Sequence, residues 1–133
     1  MEISVVGDKI GKASALKMCY AAYTKGTTAL LCGILATAQV LEVREELETQ
    51  WSRDWTNFGT QAGERVRNVT AKAWRFAGEM AEIAATFREA GMPGEFHAAA
   101  EIIYRRLAGF KDAPSTPALE DVLEKLAQTS DEI

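Results

Sequence analysis

The chain has 133 residues, 47% hydrophobic and 26% charged, which is the balance of one globular domain with room for a single core. A net charge of −4 and a pI near 5.1 argue against an electrostatic grip on nucleic acid or on an anionic membrane surface. Cys19 and Cys32 lie thirteen residues apart with no C-x-x-C pair, so neither a disulfide framework nor a zinc site is expected, and this usage suits a reducing cytoplasm. No metal ligand set is visible, and no signal peptide is expected, since Glu2 follows Met1 without a charged-then-apolar leader.

In chain order, Ile3-Ser-Val-Val6 favours a short strand ended by Gly7. Everything after Gly11 reads as helix. The first helix is expected from Lys12 to Gln39, with no proline and with alanine, leucine and threonine throughout. Within it, the uncharged run from Gly26 to Leu41 has sixteen residues, too few to span a bilayer, and reads as a buried helix. Gly26 and Gly33, seven apart and nearly on one face, would let another helix approach closely. Glu42 to Trp55 is charged and amphipathic, and Asn57-Phe-Gly59 breaks the pattern. A second long helix is expected from Ala62 to Ala90, because Val66, Val69, Ala73, Phe76, Met80, Ile83 and Phe87 recur at three- and four-residue steps. Gly91-Met-Pro93 closes it. Glu95 to Leu107 forms the next helix, with Phe96, Ile103 and Leu107 inward. After a loop at 111–116, Thr116-Pro117 starts a last helix carrying Leu119, Val122, Leu123 and Leu126. The sum is an all-α domain preceded by an orphan strand, which cannot stand alone in water.

Lys17 is the one charge in the twelve residues Ala13 to Thr24. A cation on an apolar helix must snorkel, find a counter-charge or give up its proton more easily, and the last outcome makes it an acid/base group. Its helical face also carries Tyr20 and Thr24, which together could hold a substrate hydroxyl. Gly7-Asp-Lys-Ile-Gly-Lys-Ala-Ser14 imitates a phosphate loop but has three residues between its glycines and Ala13 after Lys12, so it matches neither a P-loop nor a dinucleotide fingerprint. The amides of Ala13 and Ser14 could hold an anionic group at a helix start. His97, the single histidine, reads as a surface or boundary residue. Glu79 and Glu82 form a second-tier carboxylate pair, and Trp51, Trp55 and Trp74 belong in the core or at an interface.

Ile10-Gly-Lys-Ala-Ser-Ala-Leu-Lys-Met18 followed by Thr24-Lys-Gly26 resembles the start of the C-terminal helical domain of the β-hydroxyacid dehydrogenases, the 6-phosphogluconate dehydrogenase-like superfamily. The likeness is strongest to its subfamily described as a phosphogluconate dehydrogenase, NAD-binding, C-terminal domain. Phe87-Arg-Glu-Ala-Gly-Met-Pro93 looks like that domain's helix end, and Tyr104-Arg-Arg-Leu107 precedes its usual last loop and helix. The resemblance implies two long helices in a substrate-binding and dimerisation domain over residues 11–128, a Rossmann-type strand and linker over 1–10, and a tail over 129–133. It implies hydride transfer between a small hydroxyacid and NAD or NADP, the cofactor bound mainly by a Rossmann domain that the chain as given lacks. Lys17 then acts as the general acid/base on the substrate hydroxyl, with Ser14, Tyr20 and Thr24 as substrate contacts, in a homodimer. The sequence departs from the family at Ala13, where a second glycine is usual, at Ala21, where most members carry a substrate-fixing asparagine, and at Gly78, where they carry lysine. A non-catalytic helical interaction domain and an imine-reductase-like domain are the alternatives, and retention of Lys17 favours the dehydrogenase over the imine reductase.

Overall fold

The structure, a computed structural model, describes residues 9–128. Among them there are six α-helices, one 3-10 turn and no strand. The helices are α1 (Lys9–Val40), α2 (Arg44–Asp54), α3 (Phe58–Val69), α4 (Ala73–Glu89), α5 (Glu95–Arg106) and α6 (Leu119–Leu126), with the 3-10 turn at Ala108–Phe110. The expected strand at Ile3–Val6 and the tail at 129–133 lie outside the described residues.

The all-α reading holds, and α1 is the long axis on which α3, α4, α5 and α6 all pack. It ends without glycine or proline. Glu42 takes φ +61° while the Val43 amide reaches back to the Ala38 carbonyl at 2.8 Å, a left-handed stop usually given to glycine. The Gly91 stop is the more regular one. With φ +88° at Gly91, the Met92 amide bonds to the Phe87 carbonyl at 2.8 Å and the Gly91 amide to Arg88 at 3.0 Å, the Schellman pattern.

The expected second long helix is two helices. Residues 70–72 interrupt it with no glycine or proline present. Thr70, 2% exposed, donates its hydroxyl to the Arg67 carbonyl at 2.7 Å and so ends α3 with its own side chain. The break lets α3 pack on α1, α2 and α6 while α4 turns to lie against α5. The three-four stripe from Val66 to Phe87 continues across the break, which is why periodicity alone runs the two together.

The core gathers Leu35, Val66, Met80, Ile83, Tyr104, Leu107 and the α6 leucines around the middle of α1. The inward placing of Leu107, Val122, Leu123 and Leu126 is as the periodicity implies, with Leu119 half-buried at the edge. Phe96 is not inward. It is 80% exposed, because its neighbour His97 takes the place against α1 instead. Of the tryptophans, Trp51 packs edge-on to Phe58 at the core margin, while Trp55 and Trp74 are exposed and Lys111 lies 4.1 Å over the Trp74 ring.

Candidate functional site

The residues singled out around Lys17 all lie on the first half of α1. Because the helix begins at Lys9, the Ala13 and Ser14 amides fall inside it and bond back to carbonyls four residues earlier. They offer no open anion site, which corrects the reading of a helix start at that point. Ser14, Lys17 and Tyr20 are exposed, and Thr24 is half-buried with its hydroxyl directed to the Tyr20 carbonyl at 3.3 Å. Lys17 has no ion-pair partner among the described residues. By helical period it shares one face with Thr24, Thr28, Leu31 and Leu35. Thr28, Leu31 and Leu35 are buried in the bundle, so that face is covered from Thr28 onward and open three turns before it, at Lys17.

Where coverage begins, side chains from distant helices meet α1. Arg65 of α3 donates through Nη2 to the Thr28 hydroxyl at 2.6 Å, the Thr27 hydroxyl at 2.9 Å and the Thr24 carbonyl at 3.4 Å. Lys25 pairs with Glu79 of α4 and lies 4.3 Å over the Phe76 ring, and Arg75 stands 3.7 Å from the same carboxylate. The buried Tyr104 of α5 donates its hydroxyl to the Lys25 carbonyl. Glu79 is therefore spent on two cations, and the suggested pairing with the exposed Glu82 does not form. Of the expected substrate contacts, only Thr24 joins this polar cluster. Lys25 and Tyr104 stood in the sequence only as parts of the resembling motifs, with no role given to either, and Arg65 was not singled out at all; each shows its part only by what it meets across the bundle.

His97 is the second correction. It is 7% exposed, not a surface residue. Its Nε2 lies 3.0 Å from the Ala22 carbonyl, which can only accept, so Nε2 carries the proton. The ring packs 4.8 Å from Phe87 and directly over Gly26, and Nδ1 is buried with no hydrogen-bond partner.

The two cysteines divide as their surroundings dictate. Cys19 is exposed and Cys32 is fully buried. Burial pushes the Cys32 thiol up from 9.0 to about 12, with the nearby Arg65 charge opposing it. Burial likewise raises the Tyr104 phenol, the Cys32 neighbour adding to it. Both groups hold their protons more tightly folded than unfolded, so the stability they contribute is complete below pH 9 and is lost as pH climbs toward 12. Iodoacetamide at pH 8 should therefore modify Cys19 and leave Cys32 unmodified until denaturant is added, as intact-mass spectrometry would read. Two adducts on the native chain would contradict this burial.

Beside the polar cluster, an apolar groove of about 890 Å³ runs between α1 and α5, lined among others by Tyr23, Leu30, Ile34, Leu41, Phe96 and Ile103. No helix among the described residues is long and apolar enough to cross a membrane, and no three of their His, Cys, Asp or Glu side chains gather in a way that could hold a metal ion.

A family model described as a domain of unknown function (DUF1932) matches residues 38–107, from the end of α1 through α5. No curated protein and no solved structure matches the chain. Arg65, Glu79, His97 and Tyr104 fall within the matched residues, and Ser14, Lys17, Tyr20 and Thr24 precede them. The match takes in more than half of the 133 residues, and the chain thus belongs to the DUF1932 family.

Proposed function

We propose that this chain is the substrate-binding and dimerisation domain of a cytoplasmic NAD(P)-dependent hydroxyacid dehydrogenase of the 6-phosphogluconate dehydrogenase-like superfamily, with Lys17 as the general acid/base at a secondary alcohol. The observation that carries the reading is the exposed Lys17, without an ion-pair partner among the described residues, on the bundle-facing side of α1, three turns before that face is covered at Thr28. A cation left open on that side is available to a second domain closing over it. The Gly26 approach and the regular stop at Gly91-Met-Pro93, both part of the family likeness, support it as well.

The described residues carry no glycine-rich strand-to-helix turn, so they do not fit a dinucleotide, and the cofactor's binding belongs to a separate Rossmann domain in this proposal. This chain's own part is acid/base chemistry and positioning. With a second domain closed over it, Lys17 would stand against the substrate hydroxyl and exchange that hydroxyl's proton as general acid/base. Ser14, Tyr20 and Thr24 border that position. The Arg65 cluster holds the bundle's end rigid beneath it, through Thr24 and Thr28.

A fusion of this chain to the Rossmann domain of a β-hydroxyacid dehydrogenase tests the role. With hydroxyacid panels and NAD or NADP, Lys17→Ala should lower kcat about a hundredfold, the usual contribution of a positioned acid/base group, while the circular dichroism spectrum stays the same. Undiminished turnover in that variant sinks the general-base assignment. The second reading, a non-catalytic interaction domain, draws on the open apolar groove between α1 and α5.

A further inference from the structure

Arg65 of α3 is a cation held in place without a counter-charge. Its Nη2 is committed to the Thr28 and Thr27 hydroxyls and the Thr24 carbonyl, all uncharged acceptors of α1. No carboxylate among the described residues pairs with it, although Arg67 on the same helix has Glu64, and Lys25 and Arg75 share Glu79. Its Nη1 and Nε donate to nothing among the described residues, and the side chain is exposed. Holding a long side chain by one nitrogen costs rotamer freedom and leaves its other N–H groups to solvent or a ligand. A guanidinium fixed in advance takes a carboxylate or phosphate oxygen at less ordering cost than a loose surface arginine.

Its place on α1 gives that anion a context. Thr24 and Thr28 share the helical face of Lys17, and Thr24 lies seven residues, about 10 Å of helix, beyond it. Arg65 therefore stands where cover begins, at the inner end of the open stretch that Lys17 occupies. Two cations, neither with an ion-pair partner among the described residues, border this one stretch. A hydroxyacid whose only carboxylate adjoins its hydroxyl is too short to meet both. One with an acidic group several bonds further along its chain is long enough. We propose that Arg65 is the anchor for such a distal acidic group, carboxylate or phosphate, and so selects which hydroxyacids reach Lys17. This role rests on the Lys17 reading, whereas the anion site itself needs only this chain.

An NMR titration of the isotope-labelled full chain with inorganic phosphate and, separately, with glutarate is the test. The expected result is saturable shifts at the Thr24, Thr27 and Thr28 amides with at least one of the two anions. The anion that binds more tightly tells a phosphate monoester from a second carboxylate. Arg65→Gln removes the charge while keeping an amide donor for the threonines, and should raise the dissociation constant about tenfold or more. Arg53→Gln, at another exposed arginine, should bind as the wild type does. Absence of saturable shifts at the three threonines with both anions overturns the anion site, whether or not the Arg65 variant folds. Binding that Arg65→Gln leaves unchanged overturns it as well. Undiminished turnover of the Lys17→Ala fusion beside intact anion binding would overturn the Lys17 reading and leave the anion site standing.

Discussion

Replacing Tyr104 by alanine should cost about 4 kcal/mol, the loss typical of truncating a fully buried aromatic. Among the described residues Tyr104 is the largest completely buried side chain, and from α5 it reaches two other helices. Its ring meets Phe76 of α4 edge-on at 5.7 Å, and its hydroxyl bonds to the Lys25 carbonyl of α1. Against the roughly 5–15 kcal/mol that stabilises a domain, that loss is a third or more of the total. Tyr104→Phe separates the two contributions. It keeps the packing and removes one hydrogen bond, and Lys25's carbonyl keeps its intrahelical partner, so about 1 kcal/mol is expected. Urea unfolding followed by circular dichroism measures both; equal effects of the two variants would show that the hydroxyl, not the ring, sets the stability here.

Gly26→Leu should be nearly as damaging, at about 3 kcal/mol or more, while Gly33→Ala should be neutral or slightly stabilising. A Cβ at Gly26 would sit 2.8 Å from His97 Nε2, closer than real contacts allow, and 3.3 Å from Cδ2, which is also tight. His97 has little freedom to yield, since it is hydrogen-bonded to Ala22 and packed on Phe87. A larger side chain must expel the imidazole, breaking that bond and overpacking the α1–α5 contact. At Gly33 the nearest atom is Ile103 Cδ1 at 3.7 Å, an ordinary contact, and alanine there gains up to about 1 kcal/mol of helix propensity. Thermal unfolding of the two variants side by side decides it. Matching melting temperatures would mean that the His97 contact imposes no requirement for glycine.

These two glycines also mark how far the sequence could be read. Their seven-residue spacing announces a close helix approach, and both do face α5. The spacing does not say that one is indispensable and the other merely tolerated, because that depends on which α5 side chain arrives opposite each. His97 teaches the same lesson from the other side. A lone histidine with no motif reads as a boundary residue, and only the passage of α5 over Gly26 turns it inward and Phe96 outward.

Of the proposed site, Lys17 was legible because a charge inside an apolar run is a local anomaly. Arg65 was not, since its partners Thr24, Thr27 and Thr28 lie about forty residues away and carry no pattern that names it.

By itself the sequence determined the all-α class, the presence of a long first helix and the stop at Gly91. Helix period, the absence of proline and a glycine at a left-handed position are local properties of the backbone. Only the tertiary structure decided where the second long helix breaks, which polar groups meet at the end of the bundle, and which apolar stripe of α1 stays open. Leu31 and Leu35 recur on this helix as regularly as Leu30 and Ile34, yet the first pair is covered and the second lines an open groove. Period fixes that a stripe exists; whether it is core or interface depends on what distant helices come to lie against it.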